Sequence, residues 1–205
     1  MMTKAIRLQC LVVPDGDDYK AASWYPDATE LIKQLYSDNW RLFVDLLAST
    51  SPRQSVKRNW RQTAAIVAAY INRENRPDVF GNLLGDVMIT HLNNVVRALQ
   101  RRPLNGQKVS RFSENLKGNL DVVTIDVWVC KAYGLTHKKL TTDVYNRLER
   151  KIQADAATRG IAPANWQAVI WQAVRRLAGK NVESFVSVYN SIFCETPCFA
   201  FMQDD

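Results

Sequence analysis

Cysteine is scarce and scattered in this 205-residue chain: Cys10, Cys130, Cys194 and Cys198 are the whole set. Only the last two are close, as C-x-x-x-C. The chain therefore lacks the pair of pairs that a structural zinc needs and the four clustered thiolates of a [4Fe–4S] centre. Thiols used this sparsely fit a reduced, intracellular setting. Histidine is rarer still: His91 and His137 stand alone without ligand spacing, so neither is given a role and no metal or other cofactor is expected. Long apolar runs are missing, and nothing approaches the roughly 20 residues that span a bilayer. The opening stretch MMTKAIRLQCLVVPDGDDYK has no secretory apolar core or cleavage site. A soluble cytoplasmic protein with no membrane partner is the expectation. Strand signals are few, AIRLQCLVV being the one β-like segment, and no repeat or low-complexity tract occurs.

What is present is positive charge and helical periodicity. Lys and Arg number 27 against 20 Asp and Glu, a formal charge of +7 that favours a polyanionic partner such as nucleic acid. From Asp27 to Thr50 the leucines Leu31, Leu35, Leu42, Leu46 and Leu47 recur at helical spacing, with Asp27 and Glu30 as a capping pair. In PRQSVKRNWRQTAAIVAAYINREN, Pro52 can open a helix whose apolar side carries Val56, Trp60, Ile66 and Val67, while Arg53, Lys57, Arg58 and Arg61 form a wet, cationic surface. Further helices are expected in DVMITHLNNVVRALQRR, near Lys108–Leu116 and Val122–Tyr133, and in TTDVYNRLERKIQADAATRG, APANWQAVIWQAVRRLAGK and VESFVSVYNSIF. The fold class expected is all-α, a single domain over residues 1–205 of about eight to ten helices.

The segment from Leu104 to Trp128 stands apart. Pro103 stops one helix, Asn105 and Gly106 supply a tight turn, and Val109 and Phe112 begin the next apolar pattern. A helix N-terminus behind such a turn can grip phosphate, with Gln107, Lys108 and Arg111 adding donors or charge, although a glycine at such a place is often only a turn. Further on, Asp126 is a lone carboxylate in DVVTIDVWVCKAYG, following either a helix start or a short extended lead-in. It can cap the helix running to Tyr133 and still face a cleft.

PLNGQKV followed by VTIDVWVCKAYGL resembles the helix-hairpin-helix DNA glycosylase superfamily, with its P-G-V-G-x-K-type hairpin and a V-D-T-H-V-type segment before a helix ending near R-L-G-L. Pro103, Gly106 and Lys108 match the hairpin's proline, second glycine and lysine, Asp126 matches the catalytic aspartate, and KAYGL matches the helix end. Eighteen positions separate Lys108 from Asp126, a spacing similar to that of the endonuclease III branch. Upstream, LLASTSPRQSVKRN is similar to the LLSxQT helix junction that faces DNA and the target base. The sequence departs from the pattern where Leu104 or Asn105 takes the first glycine, where Trp128 takes the histidine, and where the iron–sulfur cysteines are missing. Three stretches together, STSPRQSVKRNW, the segment 106–128 and APANWQAVIW, look like a phage-encoded group whose glycosylase-fold relatives include enzymes linked to thymine hypermodification.

The resemblance implies a two-lobed helical fold with its helix-hairpin-helix core at about residues 90–135, and a monomer that flips a base out of double-stranded DNA in the cytoplasm, the host's if phage-encoded. It implies Lys108 and Asp126 as the catalytic pair: an amine that attacks the sugar's anomeric carbon, its pKa lowered by Arg111 and the helix dipole, and a carboxylate that stabilises the positive charge. Nucleic acid would meet Asn105, Gly106, Gln107, Arg111, Ser51, Arg53 and Lys57. The base pocket would draw on Thr50, Asn59, Trp60, Trp128, Gln167 and Trp171, each also a plausible core or surface residue. An N-glycosylase, with or without lyase activity, heads the readings. The alternatives are a transferase acting on an activated hydroxymethyl pyrimidine, such as an amino acid:DNA transferase, and a non-catalytic helix-hairpin-helix DNA binder.

Overall fold

The computed structural model describes residues 8–136, 138 and 140–193. These form an all-helical protein: α1 (Trp24–Tyr36), α2 (Trp40–Thr50), α3 (Val56–Ile71), α4 (Pro77–Gly85), α5 (Ile89–Leu99), α6 (Gln107–Leu116), α7 (Val127–Ala132), α8 (Thr142–Ala157), α9 (Pro163–Leu177) and α10 (Phe185–Phe193), with short 3-10 turns at Asp18–Ser23 and Ser37–Asn39. Among the described residues no strand forms. Residues 8–13, where the β-like pattern lay, are irregular, and the Leu11 N–H donates to the Ala132 carbonyl at 2.7 Å. No helix among them is long and apolar enough to cross a membrane. Cys194, Cys198 and His137 lie outside the described residues.

Local chemistry explains most boundaries. Ser55 caps α3 by accepting from the Arg58 N–H, Thr141 caps α8 in the same way, and Pro77 and Pro163 open α4 and α9. Pro52 does not open α3, as its position suggests, but sits in the loop before the Ser55 cap. The stretch Asp27–Thr50 is two helices, because Ser37 turns the chain with φ at +39°. Asp27 is no cap either: it lies in the first turn of α1 and accepts a hydrogen bond from Ser23 at 2.6 Å. α4 had no legible pattern, having no buried residue and glycines at 81 and 85.

Two hydrophobic cores result. The larger gathers α1, α2, α3, α5 and α6, and α10 returns at the end of the described chain to add Phe185 and Val188. An aromatic cluster holds it: Trp60 meets Phe43 edge-on at 4.9 Å and Phe185 in a tilted arrangement at 5.5 Å between ring centres. The smaller core gathers Val123, Ile125 and helices α7, α8 and α9. α9 serves both. Ala164 and Ala168 face the larger core, Trp166, Val169, Ile170 and Val174 face the smaller, and a third stripe, Gln167, Trp171 and Arg175 at i, i+4 and i+8, is left to line a cavity.

Candidate active site

The cavity occupies about 630 Å³ where the two cores meet, within the range of small-molecule and cofactor sites. Trp24, Phe112 and Phe185 of the larger core give it apolar walls, and Trp128 and Trp171 line it from the smaller. Its charged lining consists of Lys108, Arg53 and Arg175 with one acid, Asp126.

Lys108 reaches the cavity because Gly106 adopts φ +86°, ψ 128° and turns the chain into α6, a conformation that disfavours any other residue. The hairpin is latched from outside by Asn94, whose side chain accepts from the Asn105 N–H at 2.7 Å and donates to the Asn105 carbonyl at 3.0 Å. Phe112, one turn after Lys108, lies beside it, and the Lys108 Nζ stands 5.6 Å from that ring. The Nζ donates to Ser51 Oγ at 2.8 Å, and Ser51 in turn donates to the Ala48 carbonyl. Burial pushes the ammonium pKa below its usual value, and the Asp126 charge only partly restores it. The pKa-lowering expected from Arg111 is thereby corrected: burial is the cause, and Arg111 is turned elsewhere.

Asp126 is both a helix cap and a cavity residue. Its Oδ1 accepts from the N–H groups of Trp128 and Val129 at 2.8 and 2.9 Å, and its Oδ2 accepts from Trp171 Nε1 at 3.0 Å. The segment before it is extended rather than helical, so the helix expected over Val122–Tyr133 is shortened to Val127–Ala132. Its buried backbone is satisfied by side chains of α8. Tyr145 donates to the Val123 carbonyl at 2.8 Å and accepts from the Ile125 N–H at 3.1 Å, while Glu149 accepts from the Val123 N–H at 2.9 Å. Arg111 pairs with this buried Glu149 at 3.2 Å and with Glu114 at 3.6 Å.

Other expected residues fall into two groups. Gln167 and Trp128 join Trp171, Ser51 and Arg53 in the lining. Arg53 does so from the loop 51–55 with φ at +61°, a backbone conformation that costs energy and is often found at functional sites. The rest are corrected. Thr50 and Trp60 are buried in the larger core and do not line the cavity. Asn59 touches the wall, but its amide is used internally, accepting from Thr50 at 2.6 Å and donating to the Leu47 carbonyl at 3.1 Å. Gln107 donates to Asn146 on α8 at 2.8 Å. With Arg111 paired as well, two of the expected phosphate contacts are instead internal braces of the site, while Asn105, held by its backbone, keeps an exposed side chain. Lys57 sits in the first turn of α3, outside the lining.

Sequence reasoning missed several lining residues. His91 is buried and bonds the Pro52 carbonyl at 2.9 Å through Nε2; burial holds its pKa below the usual histidine value, with Lys108 and Arg53 adding to the effect. Nothing in the local sequence marks it. Tyr25 donates to Gln167 Oε1 at 2.8 Å. Arg175 places its guanidinium 4.7 Å from the Trp171 ring and 5.3 Å from Trp128. Extending the Gln167, Trp171 spacing by one more turn would have found it.

Residues 13–178 match a family of unknown function, DUF7178, and the chain belongs to that family. No curated protein and no solved structure matches the chain.

Proposed function

We propose that this member of the family acts on an extrahelical nucleobase in DNA, cleaving the N-glycosidic bond with Lys108 as nucleophile and Asp126 as the charge that stabilises the transition state. One observation carries the reading: a lysine whose burial favours the neutral amine shares an aromatic-walled cavity with the single carboxylate in its lining. A neutral amine has the lone pair that an ammonium lacks.

In this chemistry the Lys108 Nζ attacks C1′ of the flipped nucleotide, the C1′–N bond breaks with its electron pair leaving on the base, and the base takes up a proton. Positive charge that develops on the sugar is offset by Asp126, whose two oxygens are already oriented by three N–H donors and need no rearrangement. Ring opening then gives a protonated imine at Lys108, which water hydrolyses. Ser51 holds the amine by accepting from Nζ, the aromatic walls offer a stacking surface for the base, and Arg53 and Arg175 supply cations for the backbone. The resemblance of the Gly106–Asp126 segment to helix-hairpin-helix DNA glycosylases supports the same reading.

Borohydride reduction traps such an imine. The full chain is expected to give a covalent adduct with abasic or base-modified DNA, and Lys108→Ala to give none. Absence of an adduct across uracil-containing, oxidised, alkylated and hypermodified DNA would overturn the reading.

A further inference from the structure

The cavity contains a polar group whose hydrogen-bonding sense is set by the protein. Gln167 is 4% exposed and lines the cavity from α9. Its Oε1 accepts from the Tyr25 hydroxyl at 2.8 Å, and Tyr25 is itself 3% exposed. Burial raises the Tyr25 pKa, so the phenol keeps its proton and remains able to donate. With the amide oxygen on Tyr25, no protein acceptor among the described residues meets its N–H₂ group. Open to the cavity, that donor takes its partner from whatever occupies the space.

The neighbours on α9 say which part of a ligand meets this donor. Gln167 and Trp171 are four residues apart on one face, an axial rise of about 6 Å, and Trp171 holds Oδ2 of Asp126. The amide is thus one helical turn from the group that fixes the carboxylate, so a sugar beside Asp126 would direct its attached base towards Gln167.

We propose that Gln167, oriented by Tyr25, selects bases that present an exocyclic carbonyl oxygen to it over the counterparts that present an amino group there. This inference rests on the base-acting reading and names its substrate class: oxo-bases. The carbonyl accepts from the amide N–H₂, whereas an amino group sets donor against donor and leaves both unsatisfied. Such a mismatch is worth at least about tenfold in affinity.

The test uses matched nucleosides that avoid the energetics of base pairing: deoxyuridine against deoxycytidine, and deoxyinosine against deoxyadenosine. They are titrated into the ¹⁵N-labelled full chain and followed at the Gln167 side-chain amide. Borohydride trapping on abasic DNA is measured in parallel. The expected result is that the two oxo-nucleosides bind about tenfold tighter and move the Gln167 amide signals. In Tyr25→Phe the amide is free to turn and the preference falls towards unity; in Gln167→Glu, which offers an acceptor to the cavity, it reverses. Equal binding within each pair, or no nucleoside binding, overturns the selection. If the Lys108 adduct still forms, the base-acting reading survives; if it does not, both fall. A preference unchanged in both Tyr25→Phe and Gln167→Glu also overturns the proposal, and Gln167→Glu decides the matter should Tyr25→Phe fail to fold.

Discussion

Tyr145→Phe deletes one oxygen atom, and the structure indicates how much should be lost. That hydroxyl donates to the Val123 carbonyl and accepts from the Ile125 N–H, both buried. Neither group belongs to a helix, so removal leaves an acceptor and a donor unpaired inside the smaller core. At about 1–3 kcal/mol for each unsatisfied buried group, with part of the second recovered by local relaxation, the loss should be about 2–4 kcal/mol. For a domain of this size that corresponds to a Tm lower by roughly 5–15 °C. The matched control is Tyr25→Phe, which removes the same atom from an equally buried ring but takes it from side chains at the cavity wall, Gln167 and Thr124; about 1 kcal/mol is expected there. Urea unfolding of both variants, compared at equal m-values, gives the difference. Equal midpoints would refute the idea that α8 holds the extended lead-in through this hydroxyl. Because that lead-in delivers Asp126, Tyr145→Phe should also slow adduct formation at temperatures where the variant remains folded.

Lys108→Met removes an amine whose charged form its surroundings disfavour and should stabilise the protein at neutral pH by on the order of 1 kcal/mol. The folded-state pKa is lowered, so the unfolded chain binds more protons between the folded and unfolded values; wild-type stability rises with pH across that window, and the advantage of Lys108→Met should shrink as pH approaches 10.5 in denaturant titrations. A constant advantage would argue against burial as the cause. Trp171→Phe keeps the ring but loses the N–H to Asp126; single-turnover kinetics should show a roughly tenfold slower chemical step with DNA affinity little changed. Gly106→Ala meets open space, so its whole effect is backbone strain at φ +86°. It should cost about 1 kcal/mol or more in thermal unfolding, and a neutral result would mean that the hairpin relaxes.

How far the sequence could be read depended on how far apart the interacting residues lie. The turn at Gly106, the start of α6 and the cap at Asp126 are written within three or four positions of each other, where propensity and capping chemistry act. The apolar stripes of α3, α8 and α9 were legible for the same reason. The roles of the polar residues were not. Lys108 finds Ser51 across 57 positions, Arg111 finds Glu149 across 38, and Tyr25 finds Gln167 across 142. A charged or amide side chain on a helix looks the same in sequence whether it will meet water, a phosphate or another helix. Arg111 and Gln107 were therefore read as ligand contacts when they brace α6 against α8, and Trp60 was read as a stacking surface when it fills the larger core. Tyr145 and Glu149, which deliver Asp126, gave no sign of that task.

The three stripes of α9 separate two kinds of constraint along one helix. Substitutions at Ala164 or Val169 must satisfy a packed core, since each is fixed by the volume around it. Gln167 and Arg175 face space instead, and a change there alters what the cavity meets, whereas Trp171 both lines the cavity and packs against the smaller core. Between members of the family, Gln167 and Arg175 are therefore the positions on this helix where ligand preference can diverge with the Asp126 support unchanged, and exchanging them together is the direct route to redirecting it.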